Sequence, residues 1–282
     1  MARRRFYAQP SDIDGSAIAL STDETHHLMH VLRITPGDEA FVFDGCGREY
    51  RCLFRSVESN RARLEIADSL SDVVESPLSL TLAQALSKGE KFDFIIQKAT
   101  ELGVSRVAPL ATRYADVKLD EQQVTRRLER WRRISLEALK QCGRRKLVEI
   151  TAPRTLREFL DSETHAANDS AAHAASDSET HAASLHSEGG AEAVRKLAAC
   201  ATLLVLNKRG GIAINEALAE ISNPSSIVAM VGPEGGWSDD ELALLSECGC
   251  RSVSLGPRVL RTETAAVVAI TLIQHALGDV SK

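Results

Sequence analysis

The chain of 282 residues has room for one large or two modest domains, and its hydrophobic fraction of 44% supports a real core. No apolar run reaches membrane-spanning length, and the basic start (Arg3, Arg4, Arg5) lacks the apolar stretch of a secretory signal, so a cytoplasmic location is expected. The net charge of −5 argues against a nucleic-acid partner only until its distribution is read: seven acids and no Lys or Arg fall in residues 161–192, and the rest of the chain carries 34 bases against 32 acids.

Residues 1–75 read as mostly β. Glu39–Phe43 and Glu49–Phe54 flank Asp44-Gly45-Cys46-Gly47, a hairpin with a Gly-bearing turn. Arg61–Ala67 alternates Ala62, Leu64 and Ile66 as a further strand, and a short helical stretch is expected between Thr22 and Leu32. Short strands with tight turns suggest a small barrel-like module. The polar segment Ser69–Pro77 places the boundary, giving domains 1–75 and 76–282.

Beyond the boundary the pattern becomes α/β. Leu78–Gln84 reads as a strand. Phe92, Ile95, Ile96, Ala99 and Leu102 mark one helix face, with Gly103 as its C′ residue. Val107–Leu110 is a short strand. Val124, Leu128, Trp131, Ile134, Ala138 and Cys142 mark the next helix. Residues 126–146 hold nine bases against Glu129 and Glu137, enough for a phosphate-facing surface.

Residues 161–192 break the rhythm. Asp161-Ser162-Glu163-Thr164-His165-Ala166-Ala167 recurs as Asp177-Ser178-Glu179-Thr180-His181-Ala182-Ala183. Small polar residues cannot bury enough surface to offset ordering entropy, so the segment reads as a low-complexity insertion within the second domain rather than a metal-capturing histidine array. Six cysteines occur without a CxxC pair, and they read as buried free thiols; no metal is expected.

The α/β pattern then resumes. Leu203–Leu206, Ile227–Val231 and Ser252–Leu255 read as strands, each followed by a loop. Ser238 and Glu241 have the spacing of a capping box, and Thr262 is expected to cap a last helix that is apolar almost all round and therefore buried, partly against another subunit. The loops Gly232-Pro233-Glu234-Gly235-Gly236-Trp237-Ser238 and Leu255-Gly256-Pro257-Arg258-Val259-Leu260-Arg261-Thr262-Glu263-Thr264-Ala265 are the chemically informative part. Neither is a Walker P-loop or a dinucleotide fingerprint. Gly232, Gly235, Gly236 and Gly256 would let backbone approach a flat ligand, and Pro233 and Pro257 stiffen the turns. One such loop alone reads as a tight strand-to-helix turn; two, with Arg261 and Glu263 beside the second, read as a ligand site.

These loops resemble those of the SPOUT methyltransferases, and within them the 16S ribosomal RNA uridine-N3 methyltransferase family (ribosomal small subunit methyltransferase E). His26–Arg33, Asp44–Gly47, Gln84–Gly89, Gln97–Val104, Glu129–Trp131 and Gln141–Arg144 are similar to further segments of that family. The resemblance implies an N-terminal PUA-like β-barrel that binds RNA and a C-terminal α/β domain of the SPOUT type with a trefoil knot. It also implies a homodimer, a 16S rRNA or small-subunit partner, and S-adenosylmethionine held by three loops. Leu206, Gly232, Pro233, Glu234, Gly235, Leu255, Gly256, Leu260, Arg261, Thr262 and Ala265 are the expected cofactor residues.

Uracil N3 becomes nucleophilic once its proton leaves, so positioning and charge stabilisation should supply most of the acceleration. Arg261 is expected to stabilise the developing oxyanion. Glu263 or Glu234 could take the proton; each could equally be a helix N-terminal carboxylate. Arg4, Arg5, His27, Arg33, Lys88, Arg130 and Arg144 are the expected RNA contacts. A non-catalytic RNA-binding protein of the same fold and a SPOUT enzyme acting on a ribose or another base are the competing readings.

Overall fold

The computed structural model describes residues 3–71, 75–115, 120–163, 202–208, 210–222, 224 and 226–281, and these divide into two compact units. One comprises residues 1–75 with 133–148; the other comprises 76–132 with 149–282. Assigned from sequence to the second domain, residues 133–148 belong to the first unit.

The first unit is a six-stranded sheet built from β1 (Arg5–Tyr7), β2 (Ile13–Asp14), β3 (Ala17–Ala19), β4 (Glu39–Phe43), β5 (Glu49–Glu58) and β6 (Arg61–Leu70), in the order β1-β4-β5-β6-β3-β2. Only β1–β4 is parallel. The β4–β5 hairpin forms where expected because Asp44 Oδ1 accepts from the backbone N–H groups of Cys46 (2.7 Å) and Arg48 (3.0 Å). Alternating residues Val42, Cys52, Phe54, Ala62 and Leu64 point inward and join Phe6, Ile18, Leu20 and Leu28 in one core. Thr22–His26 is helical, capped by Ser21, and continues as a wide turn over His27–Val31.

A buried ionic network fastens residues 133–148 to this sheet. Arg5 Nε donates to Glu49 Oε1 at 2.6 Å, and its terminal nitrogens donate to the carbonyls of Leu139 and Arg144. The second oxygen of Glu49 accepts from Arg145 Nε at 3.0 Å. Glu75 accepts from Arg144 Nε and from the backbone N–H groups of Arg145 and Lys146. Lys140 is paired with Glu24 at 2.5 Å.

The second unit is an α/β layer. Its sheet holds β7 (Ser79–Ala85), β8 (Arg106–Ala111), β9 (Glu149–Ile150), β10 (Arg154–Thr155), β11 (Thr202–Leu206), β12 (Ile212–Ala213), β13 (Ser226–Val231) and β14 (Arg251–Ser254), in the order β10-β8-β7-β13-β11-β14-β12 with β9 beside β8. All its pairings are parallel, which explains why the central strands are near-continuous apolar runs. Its core gathers Leu110, Phe159, Leu203, Val205, Met230 and Trp237.

Strand β14 lies between β11 and β12, although those two are joined by a short link. The link must therefore cross β14. It does so at Gly211 (φ 117°), where a Cβ would stand 2.6 Å from the Ser252 carbonyl oxygen.

The helices follow the sequence periodicity. Lys91–Glu101 buries Phe92, Ile95, Ile96 and Ala99 and ends at Gly103 (φ 84°). Glu121–Cys142 forms one helix whose Trp131 stacks on Phe92 at 4.4 Å between ring centroids. Asp239–Glu247 carries the expected capping box of Ser238 and Glu241. The last helix, Thr262–Leu277, differs at its start: Arg261 occupies the N-cap position and Thr262 is already helical. Within the chain it buries Ala266, Ala269, Ile270, Ile273 and Gln274, while Ala265, Val268 and Leu272 stay half-buried.

Two other expectations change. Asp161–Glu163 are helical, continuing from 156–160, and Glu163 pairs with Arg106 at 2.5 Å; the remainder of the expected insertion lies outside the described residues. Of the cysteines, Cys52 is buried and burial pushes its thiol up to about 12, as it does for Cys250, but Cys46 is exposed on the hairpin turn. No group of His, Cys, Asp and Glu among the described residues is arranged to hold a metal. Among the same residues no helix is long and apolar enough to cross a membrane.

Candidate cofactor pocket and RNA-facing residues

The carboxyl ends of β11, β13 and β14 are neighbours in the sheet, and the loops that leave them enclose a cavity of about 840 Å³. This is the end of an α/β sheet where ligands bind. Its walls include Leu206, Gly232, Pro233, Glu234, Gly235, Leu255, Gly256, Leu260, Thr262 and Ala265, ten of the eleven positions expected from sequence. The eleventh, Arg261, is exposed beside Thr262 at the start of the last helix.

The loops are tied to one another by side-chain hydrogen bonds. Trp237 Nε1 donates to the Leu206 carbonyl at 3.0 Å, joining the second loop to the first. Thr262 Oγ1 donates to the Gly232 carbonyl at 2.9 Å, joining the third to the second, and accepts from Gln84 Nε2 at 3.0 Å. Thr262 thus acts as a strut between loops, not as the helix cap its sequence position suggests. Such cross-ties lower the ordering cost of binding.

The glycines divide by cause. A Cβ on Gly232 would stand 3.1 Å from the Trp237 ring, and one on Gly235 would stand 2.8 Å from Tyr114 Cβ. Protein packing accounts for these two, rather than the ligand approach expected from sequence. Gly256 (φ 108°) is the opposite case: nothing lies within 4 Å of its missing Cβ, so backbone alone forms the wall there. A pocket of this volume, part backbone and part apolar, fits a nucleoside-bearing cofactor.

Charged groups gather at one side. Lys91 Nζ donates to Glu234 Oε1 at 2.5 Å. That hydrogen bond holds the Lys91 ammonium above its usual range, with Glu263 adding to the effect and Arg261 opposing it. Oxygen Oε2 of Glu263 is buried without a hydrogen-bond partner among the described residues. An unsatisfied buried carboxylate oxygen is costly, which marks a place where a donor is expected.

The cavity also takes in residues that sequence reading missed. Arg113, Tyr114 and Ala115 enter its wall from the turn after β8, and Trp237 and Lys208 are among its other lining residues. Their position after a strand's carboxyl end was the available signal.

The expected RNA contacts separate sharply. Arg4 and Arg33 are exposed; Arg33 adopts φ 52°, a strained conformation for a non-glycine residue. Lys88 is exposed. Arg130 is half exposed and bonded to Asp93. His27 is half-buried, its ring edge-on to Phe6. Arg5 and Arg144 are corrected: they are 6% and 7% exposed and their donors are taken by Glu49, Glu75 and backbone carbonyls, so they serve the architecture and not a phosphate.

A family model described as an RNA methyltransferase domain matches residues 74–195 and 187–274, and one described as an RNA methyltransferase PUA domain matches residues 20–67. Ribosomal RNA small subunit methyltransferase E of a Synechocystis species is 32% identical over 273 residues, covering 97% of this chain and 78% of that protein. The Bacillus subtilis protein of the same name is 26% identical, over 93% of this chain and 91% of its own length. The crystal structure of ribosomal RNA small subunit methyltransferase E from Neisseria gonorrhoeae, bound to S-adenosyl methionine, superposes with a TM-score of 0.77 at 32% identity, covering 98% of this chain and 99% of that one.

Proposed function

We infer the function from one premise: the chain belongs to the ribosomal RNA small subunit methyltransferase E family of RNA methyltransferases. It is an S-adenosylmethionine-dependent methyltransferase of ribosomal RNA. We propose that its target is N3 of one uridine in 16S rRNA, uridine 1498. The observation that carries the reading is the set of three loops cross-tied through Trp237–Leu206 and Thr262–Gly232 around one cavity.

S-adenosylmethionine, when bound, would supply an electrophilic methyl group on its sulfonium. Leu206, Gly232–Gly235, Leu255, Gly256, Leu260 and Ala265 would hold it within the cavity. The protein must then orient the uracil, accept the N3 proton and stabilise charge spreading to the ring oxygens. The Arg261 guanidinium, exposed at the rim and fixed in charge, stabilises the uracil oxygens. Of the two carboxylates, Glu263 suits the proton better. Its Oε2 has no hydrogen-bond partner among the described residues, whereas Glu234 Oε1 already accepts from Lys91. Glu263→Gln is expected to lower the single-turnover rate at saturating cofactor; an unchanged rate removes the base role.

Exposed Arg4, Arg33, Lys88 and Arg130 are proposed to contact RNA phosphates. A homodimer is proposed on the last helix, whose half-buried Ala265, Val268 and Leu272 recur at intervals of three and four. The proposed location is the cytoplasm, where ribosomal RNA is modified. Calorimetric titration with S-adenosylmethionine tests the pocket: saturable binding at one site per chain is expected, and no binding heat with intact fold would contradict it.

A further inference from the structure

The three cofactor loops leave β13, β11 and β14, which are consecutive in the sheet. Tyr114 comes from elsewhere: it follows β8, which is separated from β13 by β7, yet it lines the same cavity. The cavity therefore extends past the cofactor loops toward β8. Its volume of about 840 Å³ lies in the upper part of the usual range for single-ligand sites, roughly 300–1,000 Å³.

Tyr114 is 50% exposed and lines the cavity, so part of its ring is available to a ligand there. It is also firmly placed. Its Cβ lies against the Gly235 backbone, so closely that no side chain fits at that position. The turn that carries it closes on itself, Ala115 N donating to the Thr112 carbonyl at 3.1 Å, and is tied to the second loop's helix where Arg113 N donates to Glu241 Oε1 at 2.8 Å. Glu241 uses its other oxygen to cap the helix behind the second loop. One carboxylate thus fixes the tyrosine turn and the cofactor loop together. Beside them, the Lys91–Glu234 pair supplies polar groups at the adjoining rim.

A rigid, half-exposed ring next to polar groups is the chemistry that recognises a nucleobase taken out of its stack: π-face against ring, base edge toward hydrogen-bonding groups. We propose that Tyr114 is the stacking platform for the target pyrimidine, which enters the cavity from the β8 side. This rests on the reading that the substrate is an RNA base.

The test compares the full-length protein with Tyr114→Ala, Tyr114→Leu and Tyr114→Phe. Two quantities are measured: the Kd for S-adenosylmethionine by calorimetry, and kcat and KM for methyl transfer to small-subunit rRNA. For Tyr114→Ala, kcat/KM should fall roughly 10- to 100-fold, from the value of one base–aromatic stack. The cofactor Kd should stay within about twofold, which also reports an intact pocket. Tyr114→Phe should restore kcat/KM to within about threefold, and Tyr114→Leu, which keeps bulk against Gly235 without a π-face, should not. If Tyr114→Ala weakens the cofactor by the same factor as kcat/KM, the ring is a cofactor wall and the proposal fails. It fails equally if Tyr114→Leu matches the wild type. A wild-type protein that binds the cofactor and methylates no rRNA base overturns the functional reading itself, and this proposal with it.

Discussion

Two charge clusters in this molecule look alike in sequence and behave oppositely. In the first unit, Arg5, Glu49 and Arg145 are nearly inaccessible, with side chains 5%, 2% and 3% exposed, and every carboxylate oxygen of Glu49 has a donor. In the second unit, Lys91 and Glu234 are 39% and 45% exposed, Arg261 is exposed, and a Glu263 oxygen has no partner among the described residues. A satisfied, dry cluster stabilises an architecture; one with accessible charges around a single unsatisfied, buried carboxylate oxygen leaves groups available to a substrate. Charge in a sequence does not tell the two apart. Burial and hydrogen-bond satisfaction do.

The difference can be broken from either side. Glu49→Gln leaves two guanidinium groups buried without their carboxylate. It should cost about 3–5 kcal/mol of stability, read as a lowered urea midpoint with an unchanged cofactor Kd. Arg261→Ala should do the reverse, lowering the single-turnover methylation rate about 10²- to 10³-fold while leaving the urea midpoint in place. If Glu49→Gln instead reduced RNA affinity with no loss of stability, the buried network would need reassignment as an interface.

A smaller effect sharpens the same division among the arginines. Replacing exposed Arg33 by Gln should reduce the slope of log affinity for rRNA against log salt by close to one unit. The affinity of a folded Arg144→Gln protein should show no such change in slope, because its guanidinium already faces Glu75. Equal slopes for wild type and the Arg33 variant would remove Arg33 from the RNA surface.

Much of the second unit was legible because its signals are local. Spacing of Phe92, Ile95, Ile96 and Ala99 gives the helix, apolar runs give β11 and β13, and Ser238 with Glu241 gives the cap. The loops of the pocket followed from those strands. What escaped depends on contacts between residues distant in sequence. Arg5 and Arg144 stand 139 positions apart, and nothing local records that the Arg144 carbonyl accepts from the Arg5 side chain. The transfer of residues 133–148 to the first unit rests on the same contacts, as does Tyr114, whose role is set by Gly235 and Glu241. Thr262 was misread for a related reason: its hydroxyl has a distant carbonyl, Gly232, that outcompetes the local capping geometry.

The central claim is methyl transfer from the three-loop pocket to a uracil nitrogen. The direct measurement incubates the purified protein and S-adenosylmethionine with unmodified 16S rRNA or small subunits, then digests the RNA to nucleosides for mass spectrometry. One N3-methyluridine per 16S rRNA is expected, lost with Arg261→Ala. A methyl group found on a ribose or another base, or no incorporation by a protein that binds the cofactor, would contradict it.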